Sequence, residues 1–185
     1  MRGADHRRRT ACRICGSRTL REVVNLGVMP PANAFARRGT KNERSYPLAV
    51  AFCPVCALVQ LRDVVAPSVL FKNYHYLTSA SSPLAEHFRA LGRAIVANHV
   101  ESKNDLVVDI GGNDAVMLES IKGSCRVLNV EPVQRIAKIS RAKGVPTVEK
   151  FFSASEARKL VAQYGHARVV AASNVLAHIE DLRGV

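Results

Sequence analysis

Two Cys-x-x-Cys pairs, Cys12-Arg-Ile-Cys15 and Cys53-Pro-Val-Cys56, use four of the five cysteines of this 185-residue chain. Two residues between thiols let both sulfurs turn toward one point, and a second such pair completes a tetrahedron. That is the donor set of a structural zinc ion. The alternatives are two disulfides or unrelated buried cysteines. Disulfides require an oxidising compartment. The basic stretch Met1–Arg9 is followed by no apolar segment of the kind a secretory leader carries. A cytoplasmic, reducing location is therefore expected. The 37 residues between the pairs exceed the spacing of a plain zinc ribbon, so a small subdomain is expected between them.

The interior of this module carries turn residues: Asn25-Leu-Gly27, Met29-Pro-Pro31-Ala-Asn33 and Arg37-Arg-Gly39. Tyr46–Phe52 reads as a strand entering the second pair, and Ala57–Leu61 as a strand leaving it. The expected organisation is a basic disordered lead over 1–10, a zinc-binding domain over 11–66, an aromatic linker with a long helix over 67–104, and a sheet domain over 105–185. In the linker, Ser82-Pro83 reads as an N-cap followed by proline at the first helical position. Leu84, Phe88, Leu91, Ile95 and His99 then form one apolar stripe.

From residue 105 the pattern is βαβαβ. Leu106–Ile110, Arg126–Val130, Val145–Val148 and Ala167–Ala172 read as strands, with helices between them that stop near Gly123 and Gly144. Ser153-Ala-Ser-Glu156 reads as a capping box opening a third helix. Strands alternating with helices predict an α/β fold with a parallel sheet. The fold class is thus a zinc-ribbon-like module followed by an incomplete doubly wound, Rossmann-like sheet. No apolar run approaches the ~20 residues of a membrane span.

Asp109-Ile-Gly111-Gly112-Asn113-Asp114 follows the first strand of this sheet and opens a helix. An acid at a strand end followed by a glycine turn is how doubly wound folds receive an adenosyl group. Glu131, at the end of the next strand, is placed to accept hydrogen bonds from two ribose hydroxyls. A pyrophosphate is disfavoured because Asp114 stands where a dinucleotide fold receives it. The acid suits a cofactor with a positive centre, S-adenosylmethionine, held by Asp109, Gly111, Asn113, Asp114, Glu131 and Asn174. The alternative is a plain structural turn.

Charge is uneven. Residues 1–100 hold 15 Lys+Arg against 5 Asp+Glu, or +10, and residues 101–185 hold 12 against 10, or +2. A basic half fits either nucleic acid or a phosphorylated substrate. With no Trp and ten Phe or Tyr in all, base stacking on single strands is poorly served.

The motifs Cys12-x-x-Cys15-Gly16, Leu26-Gly27, Pro30-Pro31-Ala32-Asn33, Tyr46-Pro47-Leu48, Cys53-x-x-Cys56-x-Leu58-Val59-Gln60, Tyr74-His-Tyr76-x-Thr-Ser79, Asp109-Ile-Gly111-x-Asn113-Asp114, Glu131-Pro132 and Asn174-Val-Leu-Ala-His178-Ile occur in this order. The chain thereby resembles S-adenosylmethionine-dependent C-methyltransferases with an N-terminal zinc-binding domain, of the type that methylates nucleotide-linked keto-deoxysugars. The resemblance implies that zinc is structural and that the Tyr74–Tyr76 segment lies toward the active site. It makes Tyr76, Tyr74 and His178 the candidate catalytic residues. Ala115 stands where the family usually has glycine, and family members continue beyond the fourth strand into parts that supply a catalytic histidine. A truncated or partner-dependent form is therefore expected, whose own catalysis is uncertain. Its apolar fourth strand, as a sheet edge, is expected to self-associate or to take a partner strand. A basic zinc module that binds nucleic acid, or an accessory protein, is the competing function.

Overall fold

The structure is a computed structural model that describes residues 5–32, 35, 38, 43–71, 74–179 and 181–184. Asn33, Arg37 and Gly39, quoted above as turn residues, lie outside the described residues. The chain divides into two compact units, Met1–His75 and Tyr76–Val185.

In the first unit, strand β1 (His6–Arg8) pairs antiparallel with β5 (Asp63–Val65). The basic lead expected to be disordered thus contributes an ordered strand. His6 Nε2 meets Asp63 Oδ1 at 3.0 Å, and Arg8 donates to Glu22 at 3.0 Å. These partners offset the charge that made the segment read as a solvated tail. Strands β2 (Arg21–Met29), β3 (Tyr46–Phe52) and β4 (Val59–Leu61) form an antiparallel sheet in the order β2-β3-β4. Asn25-Leu-Gly27 is not a turn between strands. It is an irregularity inside β2, where the register with β3 shifts and Gly27 takes φ 75°. Glycine supplies that left-handed step at no steric cost, and the strand continues. A short helix, α1 (Pro67–Phe71), follows.

Among the described residues of this unit, the buried apolar side chains are Cys12, Ala49, Ala51 and Cys53. Two alanines and two thiols bury little area. A module with so small a core needs a cross-link or a metal to hold one conformation.

The second unit opens with a one-turn 3-10 helix over Thr78–Ala80 and helix α2 (Ser82–His99), whose N-cap is Ser81, one residue earlier than the sequence suggested. Four parallel strands follow: β6 (Leu106–Ile110), β7 (Arg126–Val130), β8 (Thr147–Val148) and β9 (Val169–Ala171), in the order β8-β7-β6-β9. Helices α3 (Val116–Ile121), α4 (Gln134–Ala142) and α5 (Ala154–Tyr164) connect them. Ser153 caps α5 by accepting from the Glu156 N–H at 3.2 Å.

Alternation along β6 divides the core. Val107 packs with Ile95, Met117, Leu118 and Ile121 on one face. Leu106, Val108 and Ile110 pack with Leu128, Val130 and Leu160 on the other. Both faces of the sheet are thus covered, as a parallel α/β sheet requires. Strand β9 is an edge among the described residues, and Val170 on it is 59% exposed. No helix is long and apolar enough to cross a membrane among the described residues.

Candidate functional site

The four cysteines Cys12, Cys15, Cys53 and Cys56 converge, their sulfurs all within 4.8 Å of one another. Cys12 and Cys56 sulfurs are 3.5 Å apart, as are those of Cys15 and Cys53. A tetrahedral ion with Zn–S bonds of about 2.3 Å has S···S edges of about 3.8 Å, so the four sulfurs form a cage of the size Zn²⁺ takes. None of the four is in a disulfide, which answers the first alternative reading of the pairs.

The two pairs are built alike. Cys12 N–H bonds to Ser17 C=O at 2.8 Å, and Cys53 N–H bonds to Leu58 C=O at 2.9 Å. The residue after each second cysteine, Gly16 or Ala57, is left-handed at φ 76° and 59°. This turn folds backbone N–H groups toward the sulfurs. Burial opposes ionisation of Cys12, yet the N–H groups of Cys15 and Ile14, with the Cys56 and Gln60 side chains, hold its thiol down at about 6. Cys53 is lowered against burial by the N–H groups of Cys56 and Val55. Leu58 N–H favours the Cys56 thiolate, but burial and the three sulfurs around it push Cys56 up to about 12. Four thiolates cannot all ionise side by side unless a cation joins them. That donor chemistry fits a zinc ion.

Gln60 joins the two knuckles. It leaves the second on β4, is 5% exposed, and its Oε1 accepts the Arg13 N–H at 3.1 Å. The sequence motif contained Gln60, but its role needs the fold to be seen.

The second site lies at the carboxyl end of β6. Asp109 is 4% exposed, and its Oδ1 is buried with no hydrogen-bond partner. Burial, then the charge of Glu131, raises its carboxyl to about 7. Glu131, at the end of β7, is raised by burial, while the N–H groups of Val133 (2.8 Å) and Asn113 act in the other direction. The structure therefore brings Asp109 and Glu131 together across the turn.

Gly111 is left-handed at φ 66°, and its N–H bonds to Val130 C=O at 2.8 Å. A Cβ there would stand 2.5 Å from Val175, which brings the segment after β9 against the turn. Asn174 is the exposed, left-handed residue (φ 57°) beside Val175. Glycine is required at Gly112 as well, since a Cβ would lie 2.6 Å from both Asp109 Oδ2 and Asn129 Oδ1.

Asn129 is a polar residue among the apolar Val127, Leu128 and Val130 of its strand and is fully buried. Its Nδ2 donates to Asn113 C=O at 3.0 Å and to Ser140 Oγ at 3.1 Å. The chain of donors runs on through Thr147 to Val145 C=O. This network locks α4 and the glycine turn to β7. One asparagine among those apolar residues was the trace of it in the sequence.

Asp114 is turned away from the turn's open side. Its side chain is fully buried and its Oδ2 pairs with Lys143 Nζ at 2.9 Å, while Lys143 also donates to Asp114 C=O at 2.7 Å. Asn113 directs its side chain to Tyr76 and Thr78. Tyr76 is 41% exposed. Tyr74 lies in the first unit, its ring edge-on to Phe71 at 5.6 Å. His178 is exposed, in a 3-10 turn over Leu176–His178.

Residues 12–71 match a methyltransferase family model whose description is "putative zinc binding domain". A C-methyltransferase, NovU of Streptomyces niveus, is 32% identical over 177 residues, 94% of this chain and 42% of NovU. The chain thus spans about two fifths of the length of that curated relative. One solved structure is described as a complex between the Haloferax volcanii Trm112 methyltransferase activator and a putative methyltransferase. It is 14% identical with a TM-score of 0.28, covering 37% of this chain and 35% of that one, a likeness too slight to bear on fold or partner. The chain is thus similar to a C-methyltransferase over most of its length, and its residues 12–71 match a zinc-binding-domain model.

Proposed function

We propose that this chain is the zinc-binding and nucleoside-binding part of an S-adenosylmethionine-dependent C-methyltransferase that acts on a nucleotide-linked keto-deoxysugar. One observation carries the cofactor reading. Asp109 Oδ1 is buried and unpartnered at the mouth of a glycine turn that admits no Cβ at Gly112, beside a second acid, Glu131. A buried acceptor with no donor is costly unless a ligand supplies one. The carbon acceptor follows the name of the relative, C-methyltransferase NovU.

S-adenosylmethionine, when bound, supplies a methyl group activated by its sulfonium. Glu131 accepts the ribose hydroxyls, and Asp109 accepts from the amino group of the methionyl end. Gly111 and Gly112 give the close approach, with Asn174 on the opposite lip. Asp114 serves by holding the turn through Lys143. Of the candidate catalytic residues of the second unit, His178 would take a proton from the carbon beside the ketone and Tyr76 would donate a hydrogen bond to the oxygen that gains charge. The zinc ion at Cys12, Cys15, Cys53 and Cys56 is structural.

Calorimetric titration of S-adenosylmethionine into the chain tests the reading. The expected outcome is saturable binding to one site, abolished by Glu131→Ala. Absence of heat with a folded chain, or unchanged binding by Glu131→Ala, would sink it.

A further inference from the structure

Three of the four polar groups of Asn113 are hydrogen-bonded within the second unit. Its backbone N–H favours the charged form of Glu131, and its C=O accepts from Asn129 Nδ2 at 3.0 Å. Its side chain points the other way. Oδ1 accepts the Thr78 N–H at 3.0 Å and the Thr78 hydroxyl at 3.5 Å, while Nδ2 donates to Tyr76 C=O at 3.2 Å. One residue thus spans from the end of β7 to a segment 35 residues earlier in the chain. Its backbone is left-handed at φ 52°, a conformation asparagine tolerates better than other residues that carry a side chain.

The segment it holds is unusual. Thr78 is 7% exposed, whereas Tyr76, two residues before, has its C=O bonded to Asn113 and is 41% exposed. Tyr76 is thus a surface residue on a main chain that the Asn113 side chain holds.

We infer that Asn113 is a positioning residue whose side chain anchors the Tyr76–Thr78 segment to the nucleoside turn, so that the Tyr76 phenol stands at a set place relative to Asp109 and Glu131. This rests on reading that turn as the nucleoside site. Its side-chain carbonyl is committed to Thr78 and is not a cofactor ligand. The Asn113 main chain serves the Glu131 side of the site, and its side chain serves the Tyr76 side.

Two variants separate these roles. Asn113→Gly keeps a left-handed backbone with its C=O bond and deletes only the side-chain links. Asn113→Asp keeps the acceptor for Thr78 N–H. The readouts are amide exchange at Thr78, the fluorine resonance of 3-fluorotyrosine at position 76 (identified with Tyr76→Phe), and titration with S-adenosylhomocysteine. In Asn113→Gly, Thr78 exchanges about five- to tenfold faster, the factor the net worth of one hydrogen bond sets, and the Tyr76 resonance moves. Asn113→Asp restores the Thr78 protection. Affinity for S-adenosylhomocysteine stays within about threefold, as for a change outside the contacts. An unchanged Thr78 rate and Tyr76 resonance in Asn113→Gly overturns the inference. So does an affinity loss beyond about tenfold with the Tyr76 resonance unmoved, since Asn113 would then contact the ligand. If the native chain binds no S-adenosylhomocysteine, the nucleoside reading fails, while the exchange and fluorine measurements still decide whether Asn113 anchors Tyr76.

Discussion

Replacing Asp109 by asparagine exchanges an ionisable buried group for a neutral one of nearly equal shape. Its carboxyl has an ordinary value of 3.8 and is raised to about 7 in the fold, by burial first and by Glu131 second. Below about pH 4 the group is protonated folded and unfolded, and costs nothing. Between about 4 and 7 the folded chain holds a proton that the unfolded chain has released, so stability falls as pH rises. Above about 7 the penalty is constant. At 1.36 kcal/mol per unit, a shift of about 3 units is worth about 4 kcal/mol. The amide side chain of the variant carries no such penalty at any pH. The difference in unfolding free energy between Asp109→Asn and the native chain should therefore move by about 3 kcal/mol in favour of the variant between about pH 4.5 and 8.5, about 1 kcal/mol of the penalty being already present at pH 4.5. In melting temperature this is on the order of 10 °C. The assay is urea unfolding of both proteins at matched zinc over that pH range, followed by circular dichroism. The zinc module titrates equally in both and drops out of the comparison. A difference that is flat with pH would refute the reasoning. The same substitution should weaken S-adenosylmethionine binding, because stability is gained by removing the acceptor the ligand needs.

Lys143→Met leaves the Asp114 carboxylate buried without its cation and should destabilise by about 3–5 kcal/mol in denaturant melts; adding Asp114→Asn should recover most of the loss, and no recovery would mean that the pair is not the cause. Cys53→Ser should remove the one equivalent of zinc measured by atomic emission, while Cys125→Ser, whose thiol is buried against Ile121 C=O at 3.8 Å, should retain it. Chelation of the native chain should collapse the strand signals of the first unit, since the binding free energy of such a site is folding free energy. Gln60→Leu should weaken zinc by about 10- to 100-fold in chelator competition without changing the stoichiometry, because it removes the link between the knuckles.

The parts of the fold that were legible in the sequence are those specified by local pattern. The knuckles announced themselves by spacing. Leu106–Ile110 and Arg126–Val130 did so by short apolar runs between helix periods, and the Ser153 cap by its position before Glu156. What was illegible depends on partners distant in sequence. His6–Arg8 has no strand period in three residues and is ordered by pairing with the distant Asp63–Val65. Asn25 and Gly27 have the chemistry of a turn, and only their pairing with β3 shows a bulge. At the site, the places of Asp109 and Gly111 after β6 and of Glu131 after β7 followed from a strand end and one βαβ unit. The side-chain partners of Asp114 and Asn113 did not, because adjacent residues of one turn point in different directions. The first is taken by Lys143 and the second by the Tyr76 segment.

The turn between β6 and α3 holds three left-handed residues in five, Gly111, Asn113 and Ala115, at φ 66°, 52° and 60°. Two of the three are not glycine. A non-glycine residue there costs about 1–2 kcal/mol of backbone strain, but it also removes conformations that glycine would sample. Ala115 is fully buried, which fixes the turn from beneath. Such a loop is ordered when the chain folds and not when a ligand arrives, so little motional entropy is left to lose on binding. The turn should then take up its ligand by lock-and-key recognition, with a fast on-rate and no slow closure step.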